Sequence, residues 1–311
     1  MANQKRIIIT AAITGAIHTP SMSEYLPTTP QQIIDDAVAA YEAGAAVVHI
    51  HARNPETREP SSDIDIYRQI VSGIKQRCNV VICVTTGGGL GMSLEKRIAT
   101  VPALKPEVAS CNAGSVNFVL TPAADTIKKP LYDWEISYLR NTWDMVFANT
   151  FKGIEFYVKT MYEHGTCPEF EVYDVGMVNN IAYLRNKGII KEPIYIQFVM
   201  GILGGIPATV ENLAFMLKTA NDLLGAGSFN WSCAAAGRHQ FPLTSAALGM
   251  GGHVRVGLED NLYLRKGVLA KSSGEQVAQM KEIMSRLSIE AATPDEARKI
   301  LGLKGIDKVA F

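Results

Sequence analysis

The sequence predicts a single (β/α)8 barrel, and three observations lead to this fold class. Eight short apolar runs alternate with longer segments of helical periodicity along the 311 residues. The runs are apolar throughout, which is typical of parallel strands covered on both faces. No linker rich in Pro or Ser divides the chain, so we expect one domain over residues 1–311. A doubly wound Rossmann-type sheet is the alternative, but no GxGxxG motif follows the first run.

The predicted strands, in chain order, are IIITAAI (7–13), AAVVHIH (45–51), VVICVTT (80–86), VASCN (108–112), FEVYD (170–174), IYIQFVM (194–200), FNWSC (229–233) and HVRVG (253–257). Helical periodicity lies between them at 30–43, 62–76, 151–164, 209–223 and 274–287. The long stretch 119–150 predicts a loop or helical excursion at the barrel mouth. From about 288 to 311 we expect a C-terminal helical extension that has Thr293 as its N-cap.

Composition narrows the function classes. Thirty basic and thirty acidic residues cancel, so no overall charge favours nucleic acid or a membrane surface as a partner. The five cysteines are odd in number and have no CxxC spacing, which indicates reduced thiols. The N-terminus lacks the apolar core of a signal peptide, and glycines interrupt the most apolar later stretch, 194–208. These patterns predict a soluble cytoplasmic protein.

Two histidines at the end of the second run are the first candidate site. His49 and His51 are spaced i, i+2, so in a strand both side chains leave the same face and can approach one metal ion. The eighth run ends in GLEDN, which places Glu259 at the same barrel mouth. Two imidazoles and one carboxylate are typical of a catalytic zinc site with an open position. The alternatives are two hydrogen-bonded histidines, and an ordinary helix N-cap at GLEDN.

Other polar residues follow the predicted strands. Arg255 can neutralise Asp260, grip an anionic substrate or form a buried ion pair. The TTGGG segment, residues 85–89, exposes backbone N–H groups that suit a carboxylate or phosphate. Asn112 ends the fourth run. In the segment PEFEVYD, which includes the fifth run, Glu169 and Glu171 share one face, and their spacing does not say which of them belongs to the site.

Several segments together resemble the β-keto acid cleavage enzymes, the family of the 3-keto-5-aminohexanoate cleavage enzyme. The resemblance extends in order from the first strand to about residue 303, through ITAAITGA, LPTTPQQI, AGAAVVHIHARNPETREPS, TTGGG, LKPEVAS, PEFEVYD and GGHVRVGLEDNLYLRKG. It implies a zinc-dependent TIM-barrel acyltransferase, a homotetramer, that converts a β-keto acid and acetyl-CoA into a CoA thioester and acetoacetate.

The resemblance also assigns roles to residues. It places zinc on His49, His51 and Glu259, catalysis on Arg255 and Asp260, and the hydroxyl that holds the keto acid carboxylate on Thr85. Glu169 is expected in the pocket as a third catalytic residue. The residues predicted to bind substrate are Thr85, Thr86, Gly87, Gly88, Asn112 and Ile17.

One residue departs from the family pattern. Members that act on amino-bearing keto acids have a glutamate directly after TGA, where this chain has Ile17. An isoleucine cannot pair with an ammonium group, so we expect a keto acid with an uncharged or apolar tail.

Two other functions remain open at this stage. A zinc hydrolase of the amidohydrolase type also uses HxH, but on its first strand, and a non-catalytic metal-binding barrel is the second alternative. The sequence leaves open which keto acid is used and which of Glu169, Glu171 and Asp260 moves the proton. Contacts to CoA are also open, with Arg238 and the basic groups near 264–271 as candidates.

Overall fold

The structure is a computed structural model that describes residues 6–88 and 91–311. Eight parallel strands close into a barrel in the order β1-β8-β7-β6-β5-β4-β3-β2. The closed sheet confirms the predicted (β/α)8 barrel and excludes the open doubly wound sheet. Each predicted run overlaps one strand; these are β1 Ile9–Ala12, β2 Val47–Ile50, β3 Val81–Val84, β4 Val108–Asn112, β5 Cys167–Val172, β6 Ile194–Met200, β7 Phe229–Ala235 and β8 His253–Val256. The fifth strand begins three residues before its predicted run and the seventh ends two residues after its own.

Helices follow the strands and cover the outside of the barrel. The five predicted helices are present with ends within two residues of those expected: α1 Pro30–Ala43, α2 Ile64–Arg77, α7 Phe151–Glu163, α9 Val210–Leu224 and α11 Ser273–Arg286. Between them lie α3 Leu94–Ile98, α4 Thr100–Leu104, α5 Thr121–Ala124, α6 Trp134–Arg140, α8 Val175–Asn186 and α10 Gln240–Gly249, and α12 Pro294–Leu301 follows.

Local sequence fixes the ends of α1. The side chain of Thr29 accepts a hydrogen bond from the backbone N–H of Gln32, whose own side chain reaches back to the cap. Pro30 occupies the first turn, where no backbone donor is needed. The helix ends at Gly44, which has a φ of 118° that a side chain would disfavour.

The stretch 119–150 forms a helical excursion over the barrel mouth, as expected. It contains α5, α6 and a 3-10 turn at Asn141–Asp144. The buried carboxylate of Glu135 accepts hydrogen bonds from the backbone and the hydroxyl of Ser21, at 3.0 and 2.8 Å. The Tyr138 hydroxyl donates to the carbonyl of Ala16 at 2.9 Å. These bonds hold the excursion against the loop that follows β1.

The C-terminal segment covers the opposite end of the barrel. Its helix α12 has Thr293 as N-cap, as predicted, and packs Ala297 and Leu301 against the first residues of several strands. Arg298 donates to both oxygens of the buried Glu107, each at 2.9 Å. The N-terminal end of the barrel is therefore filled, and the polar residues at the strands' C-terminal ends line its mouth. Within residues 6–88 and 91–311, none of the helices is both long and apolar enough to span a bilayer.

Candidate active site

Three predicted metal ligands meet at the mouth of the barrel. His49 lies on β2, His51 directly follows that strand, and Glu259 follows β8. The Nε2 atoms of His49 and His51 lie 3.6 and 3.5 Å from the same oxygen, Oε1 of Glu259. All three side chains are buried. The structure thus brings together, from two strands that are far apart in sequence, the set that the sequence suggested.

The geometry and the chemistry of this set fit a metal ion. Two ligand atoms about 2.1 Å from a tetrahedral ion are about 3.4 Å apart, close to the separations observed here. The other carboxylate oxygen of Glu259 is buried and has no hydrogen-bond partner among the described residues. Burial lowers the pKa of His49 to about 3, so its ring is neutral and has a lone pair to give. Among the described residues, these three therefore form a cluster that could hold a metal.

Glycines allow Glu259 to approach β1 and β2. A Cβ on Gly15 would lie 2.4 Å from Cγ of Glu259, and one on Gly257 would lie 2.0 Å from the carbonyl oxygen of Ala12. Both glycines also have positive φ values, 62° and 149°. Side chains at either position would push the carboxylate away from the histidines.

Arg255 joins the acids of the site. Its guanidinium donates two bonds to Asp260, at 2.8 and 2.9 Å, one to Glu259 at 2.8 Å, and one to Gln197 at 3.0 Å. Glu171 lies 3.7 Å from the same group. Burial opposes ionisation of Glu259, but the guanidinium of Arg255 favours the charged form, and the pKa of Glu259 lies well below its ordinary value. Burial raises the pKa of Asp260, and Arg255 opposes the rise.

A central cavity opens beside the metal-ligand cluster. Its polar side comprises His51, Thr85, Gly87, Gly88, Asn112, Glu171 and Glu259. The remaining wall is apolar or aromatic and comes largely from the loop after β1 and the excursion, namely Ala16, Ile17, Phe118, Leu120, Tyr138, Phe147 and Tyr173. One end of a bound molecule would thus meet hydrogen-bonding groups and the other end would meet apolar side chains.

A second pocket, the side pocket, adjoins the central cavity. Ile17, Leu120 and Glu259 line both. Asp260 lines the side pocket and not the central cavity. The two spaces therefore meet at Glu259, with Arg255 behind the junction.

The residues predicted to bind substrate in the Gly-rich loop after β3 differ in their positions. Thr85, Gly87 and Gly88 line the central cavity, and Oγ1 of Thr85 accepts a hydrogen bond from the N–H of Gly87 at 2.9 Å. Thr86 instead exchanges hydrogen bonds with the backbone and hydroxyl of Ser110, at 2.7 and 3.1 Å, so it fixes the loop and does not line the cavity. Gly89 lies outside the described residues.

The structure separates the two acids of β5. Glu171 lines the central cavity and accepts a short hydrogen bond from the Asn112 amide. Glu169, expected in the pocket, lies one layer deeper in the barrel interior, because residues spaced i, i+2 point the same way at different depths. Burial raises the pKa of Glu169 to about 7, with Arg255 opposing the rise. Its predicted catalytic role stays a prediction.

Beneath the metal-ligand cluster, a buried chain of contacts begins at His49. Nδ1 of His49 lies 3.4 Å from Sγ of Cys83, which lies 3.7 Å from Oε2 of Glu169. Gln197 donates to Oε1 of Glu169 at 3.1 Å and accepts from Arg255. Contacts of this kind fix the orientation of a metal-binding imidazole. Gln197 is not among the predicted site residues, although a lone polar residue inside the apolar run IYIQFVM is a signal that could have indicated it.

Arg53, which follows the two histidines, holds the loop after β1. Its buried guanidinium donates to the carbonyls of Gly15 at 2.8 Å and His18 at 2.7 Å, to the Thr14 hydroxyl at 2.8 Å, and to the Arg58 carbonyl at 3.1 Å. It does not line the central cavity. Arg53 therefore positions the segment that carries Ile17.

The chain is similar to known proteins over nearly its whole length. The family model described as beta-keto acid cleavage enzyme matches residues 6–303. The chain is 45% identical to a 3,5-dioxohexanoate:acetyl-CoA acetone transferase of Paraburkholderia graminis, over 100% of both chains. It is 36% identical to a 3-keto-5-aminohexanoate cleavage enzyme of Fusobacterium nucleatum, over 96% of this chain and 99% of that one.

Solved structures show the fold alone. The apo structure of ObcA superposes with a TM-score of 0.68 at 22% identity, over 91% of this chain and 66% of that chain. This similarity agrees with the closed barrel and, at that identity, says nothing about substrates.

Proposed function

Because the chain belongs to the family of beta-keto acid cleavage enzymes, we propose that it condenses a β-keto acid with acetyl-CoA and releases a CoA thioester and acetoacetate. It is an enzyme of the acyltransferase type. The observation that carries the proposal is the cluster of His49, His51 and Glu259 beside the Arg255–Asp260 pair, at the junction of two pockets. A reaction between two substrates needs such a junction.

The metal that we propose is zinc, held by His49, His51 and Glu259. Two neutral imidazoles and one carboxylate, with a further position open, are a ligand set that catalytic zinc sites use. When bound, zinc supplies Lewis-acid polarisation of a carbonyl oxygen, which makes the neighbouring carbon more acidic.

The protein's own groups then have distinct tasks. The Thr85 hydroxyl and the N–H of Gly88 would hold the carboxylate of the keto acid at the polar side of the central cavity, and Gly87, whose N–H donates to Oγ1 of Thr85, would orient that hydroxyl. Asp260, at the junction, is the group that we propose takes the proton from the α-carbon. Arg255 orients this carboxylate through two hydrogen bonds.

The atoms balance in this scheme. A keto acid R–CO–CH2–COO⁻ loses an α-proton, and its α-carbon attacks the carbonyl carbon of acetyl-CoA, from which CoA leaves as the thiolate. The thiolate attacks the original keto carbonyl, the bond between that carbon and the α-carbon breaks, and R–CO–S-CoA departs. Return of the proton to the α-carbon gives acetoacetate.

We propose an uncharged tail on the keto acid. The wall of the central cavity opposite the polar groups contains Ile17, Phe118, Leu120 and Phe147, none of which carries a charge to offset that of an ionised tail. The relative that is 45% identical is named for 3,5-dioxohexanoate, whose tail is neutral, while the 36% identical relative is named for an amino-bearing keto acid. Ile17 is therefore proposed as the residue that selects a neutral tail.

A panel of β-keto acids, assayed with and without acetyl-CoA, tests the proposal. We expect acetoacetate to form only when both substrates are present, and neutral tails to be preferred over cationic ones. Turnover of the keto acid without acetyl-CoA would favour the hydrolase alternative and contradict the proposed function. The His49→Ala variant should lose both bound metal and turnover.

We also propose that the protein assembles as a homotetramer. Large apolar side chains on the outward faces of α7, α8 and α9 are 41–51% exposed, namely Phe151, Phe156, Tyr183, Val210, Phe215 and Leu223. Exposed apolar groups concentrated in this way are typical of an interface. Sedimentation velocity would test this: the wild type should be a tetramer and Phe215→Glu should be smaller, whereas a monomeric wild type would contradict the proposal.

A further inference from the structure

In the proposed function the keto acid occupies the central cavity, and the side pocket at the barrel mouth is left without a ligand. Its walls are mostly apolar and come from the excursion, from the loop after β6 and from the end of β7; they include Val119, Pro122, Val199, Ile202, Leu203 and Ala236. At its inner end it reaches Glu259 and Asp260. From the geometry and charge of this pocket and its rim, we propose that the side pocket receives the thioester and pantetheine arm of acetyl-CoA, and that Arg238, Arg265 and Lys266 bind the CoA phosphates. The inference rests on the proposed function, since it assigns a place to the second substrate.

The first step is the separation of the two substrates. The groups that suit a free carboxylate, Thr85, Gly87 and Gly88, line the central cavity and are absent from the lining of the side pocket. Asp260, by contrast, lines the side pocket and is absent from the lining of the central cavity. A keto acid seated in the central cavity therefore presents its reactive carbon toward the junction. The acyl donor then has to arrive from the side on which Asp260 lies.

The lining of the side pocket suits the arm of CoA. A pantetheine arm is a narrow chain whose apolar stretches are separated by two amide groups, so it needs apolar walls and a few hydrogen-bonding partners. His18 supplies such a partner on this lining. Its Nδ1 donates to the carbonyl of Leu258 at 2.9 Å, and burial lowers its pKa to about 4, so Nε2 is left as an acceptor for an amide N–H.

Three basic residues lie on segments that adjoin the side pocket. Gly237 lines the pocket, and Arg238 follows it in the 3-10 turn Gly237–His239. The hairpin strand Tyr263–Arg265 packs beside this turn, and Lys266 continues it. All three basic side chains are exposed. Within the described part of the chain, none of them has a carboxylate within 4.0 Å, so their charge is available to an anion.

Charge reversal at the rim provides the main test. The double variant Arg238→Glu/Arg265→Glu should raise the KM for acetyl-CoA about tenfold and leave the KM for the keto acid within about twofold. The effect should weaken as salt is added, because exposed charges are screened. With S-acetyl-N-acetylcysteamine, a thioester that lacks the phosphates, the double variant should match the wild type. Lys299→Glu is the matched control, since it reverses an exposed charge at the opposite end of the barrel.

Filling the pocket tests its apolar part. Leu203→Trp places a larger side chain in the lining and should raise the KM for both thioesters, because both insert the same acyl end. The site is 54% exposed, so folding should tolerate the change, and Leu287→Trp, at a 52% exposed leucine on the far end of α11, is its control. Circular dichroism and thermal unfolding of all variants would verify that each is folded.

The outcomes separate this inference from the proposed function. Suppose that the wild type turns over keto acid only with acetyl-CoA. If the rim and pocket variants then match their controls, or raise the KM for the keto acid and not that for acetyl-CoA, the placement of CoA is wrong and the proposed function stands. If the wild type has no acetyl-CoA-dependent activity, the proposed function fails. Calorimetric titration with CoA then still tests the pocket: wild-type binding that the double variant loses supports the site, and absence of binding overturns it.

Discussion

Replacing Ile17 with glutamate should change the preferred keto acid from a neutral to a cationic one. Ile17 lies where the central cavity and the side pocket meet, packed with Phe118, Leu120 and Tyr138. Its loop is held by Arg53, which donates to the carbonyl of the next residue, His18, at 2.7 Å. A carboxylate introduced at position 17 would thus lie on a fixed segment that faces the substrate tail. The nearby guanidinium of Arg53 would favour its ionised form.

The size of the effect follows from the charge pair. A carboxylate and an ammonium group about 4 Å apart attract each other by about 4 kcal/mol at an effective dielectric constant of about 20. Removing the new carboxylate from water, and the repulsion by Glu259, take back about half of this gain. The remaining ~2 kcal/mol corresponds to a change of about 30-fold in the ratio of kcat/KM values for cationic and neutral substrates.

The assay measures acetoacetate formed from 3-keto-5-aminohexanoate and from 3,5-dioxohexanoate, each with acetyl-CoA in excess. Ile17→Gln is the matched control, because it has a similar size and polarity but no charge. We expect Ile17→Glu to favour the amino substrate by the factor above and Ile17→Gln to change the ratio by no more than about threefold. If Ile17→Glu leaves the ratio as in the wild type, or if both variants change it equally, the role assigned to Ile17 is refuted.

Three further predictions concern the framework of the site. Arg53→Met removes three hydrogen bonds to the loop after β1 and one to the carbonyl of Arg58, and it should lower the free energy of unfolding in urea by about 3–5 kcal/mol. A loss below about 1 kcal/mol would contradict its positioning role. Glu169 has a pKa raised to about 7 in the folded state against an ordinary 4.5, so the folded protein binds the extra proton and loses stability as the pH rises from about 4.5 to 7. Glu169→Gln should reduce that loss of stability by about 3 kcal/mol, measured as the difference between unfolding free energies at pH 5 and pH 8. An unchanged pH dependence would contradict the raised pKa. Arg298→Met leaves the buried carboxylate of Glu107 unpaired and should lower the free energy of unfolding by about 3–5 kcal/mol. Adding Glu107→Gln should restore part of this loss, so equal stability of the single variant Arg298→Met and the double variant would contradict the pairing.

The sequence was sufficient for the barrel and for the ligand cluster because both follow from local patterns. Apolar runs of strand length fix the eight strands, and the spacing of His49 and His51 fixes their common face. Glu259 could be added because all strand ends of a closed barrel open at one mouth. None of these inferences needs the depth of a side chain or its neighbours.

The sequence could not indicate how deeply each side chain lies in the barrel interior. Glu169 and Glu171 have the same spacing and the same face, and only the packed barrel separates the deeper Glu169 from Glu171 at the cavity. In the same way, the sequence left Arg53 unassigned, because its partners are backbone carbonyls that no residue pattern indicates. Most of the aromatic wall, namely Phe118, Tyr138 and Phe147, comes from residues 116–150, where no periodicity marks which side chains face inward.

The origin of the carbons in acetoacetate tests the central claim most directly. The purified protein, loaded with zinc, would be given unlabelled 3,5-dioxohexanoate and acetyl-CoA labelled with ¹³C in both acetyl carbons, and the products would be identified by NMR. The proposed condensation predicts acetoacetate labelled at C3 and C4 together with an unlabelled CoA thioester, and no label transfer after the metal is removed by a chelator. Unlabelled acetoacetate, formed at the same rate without acetyl-CoA, would contradict the account.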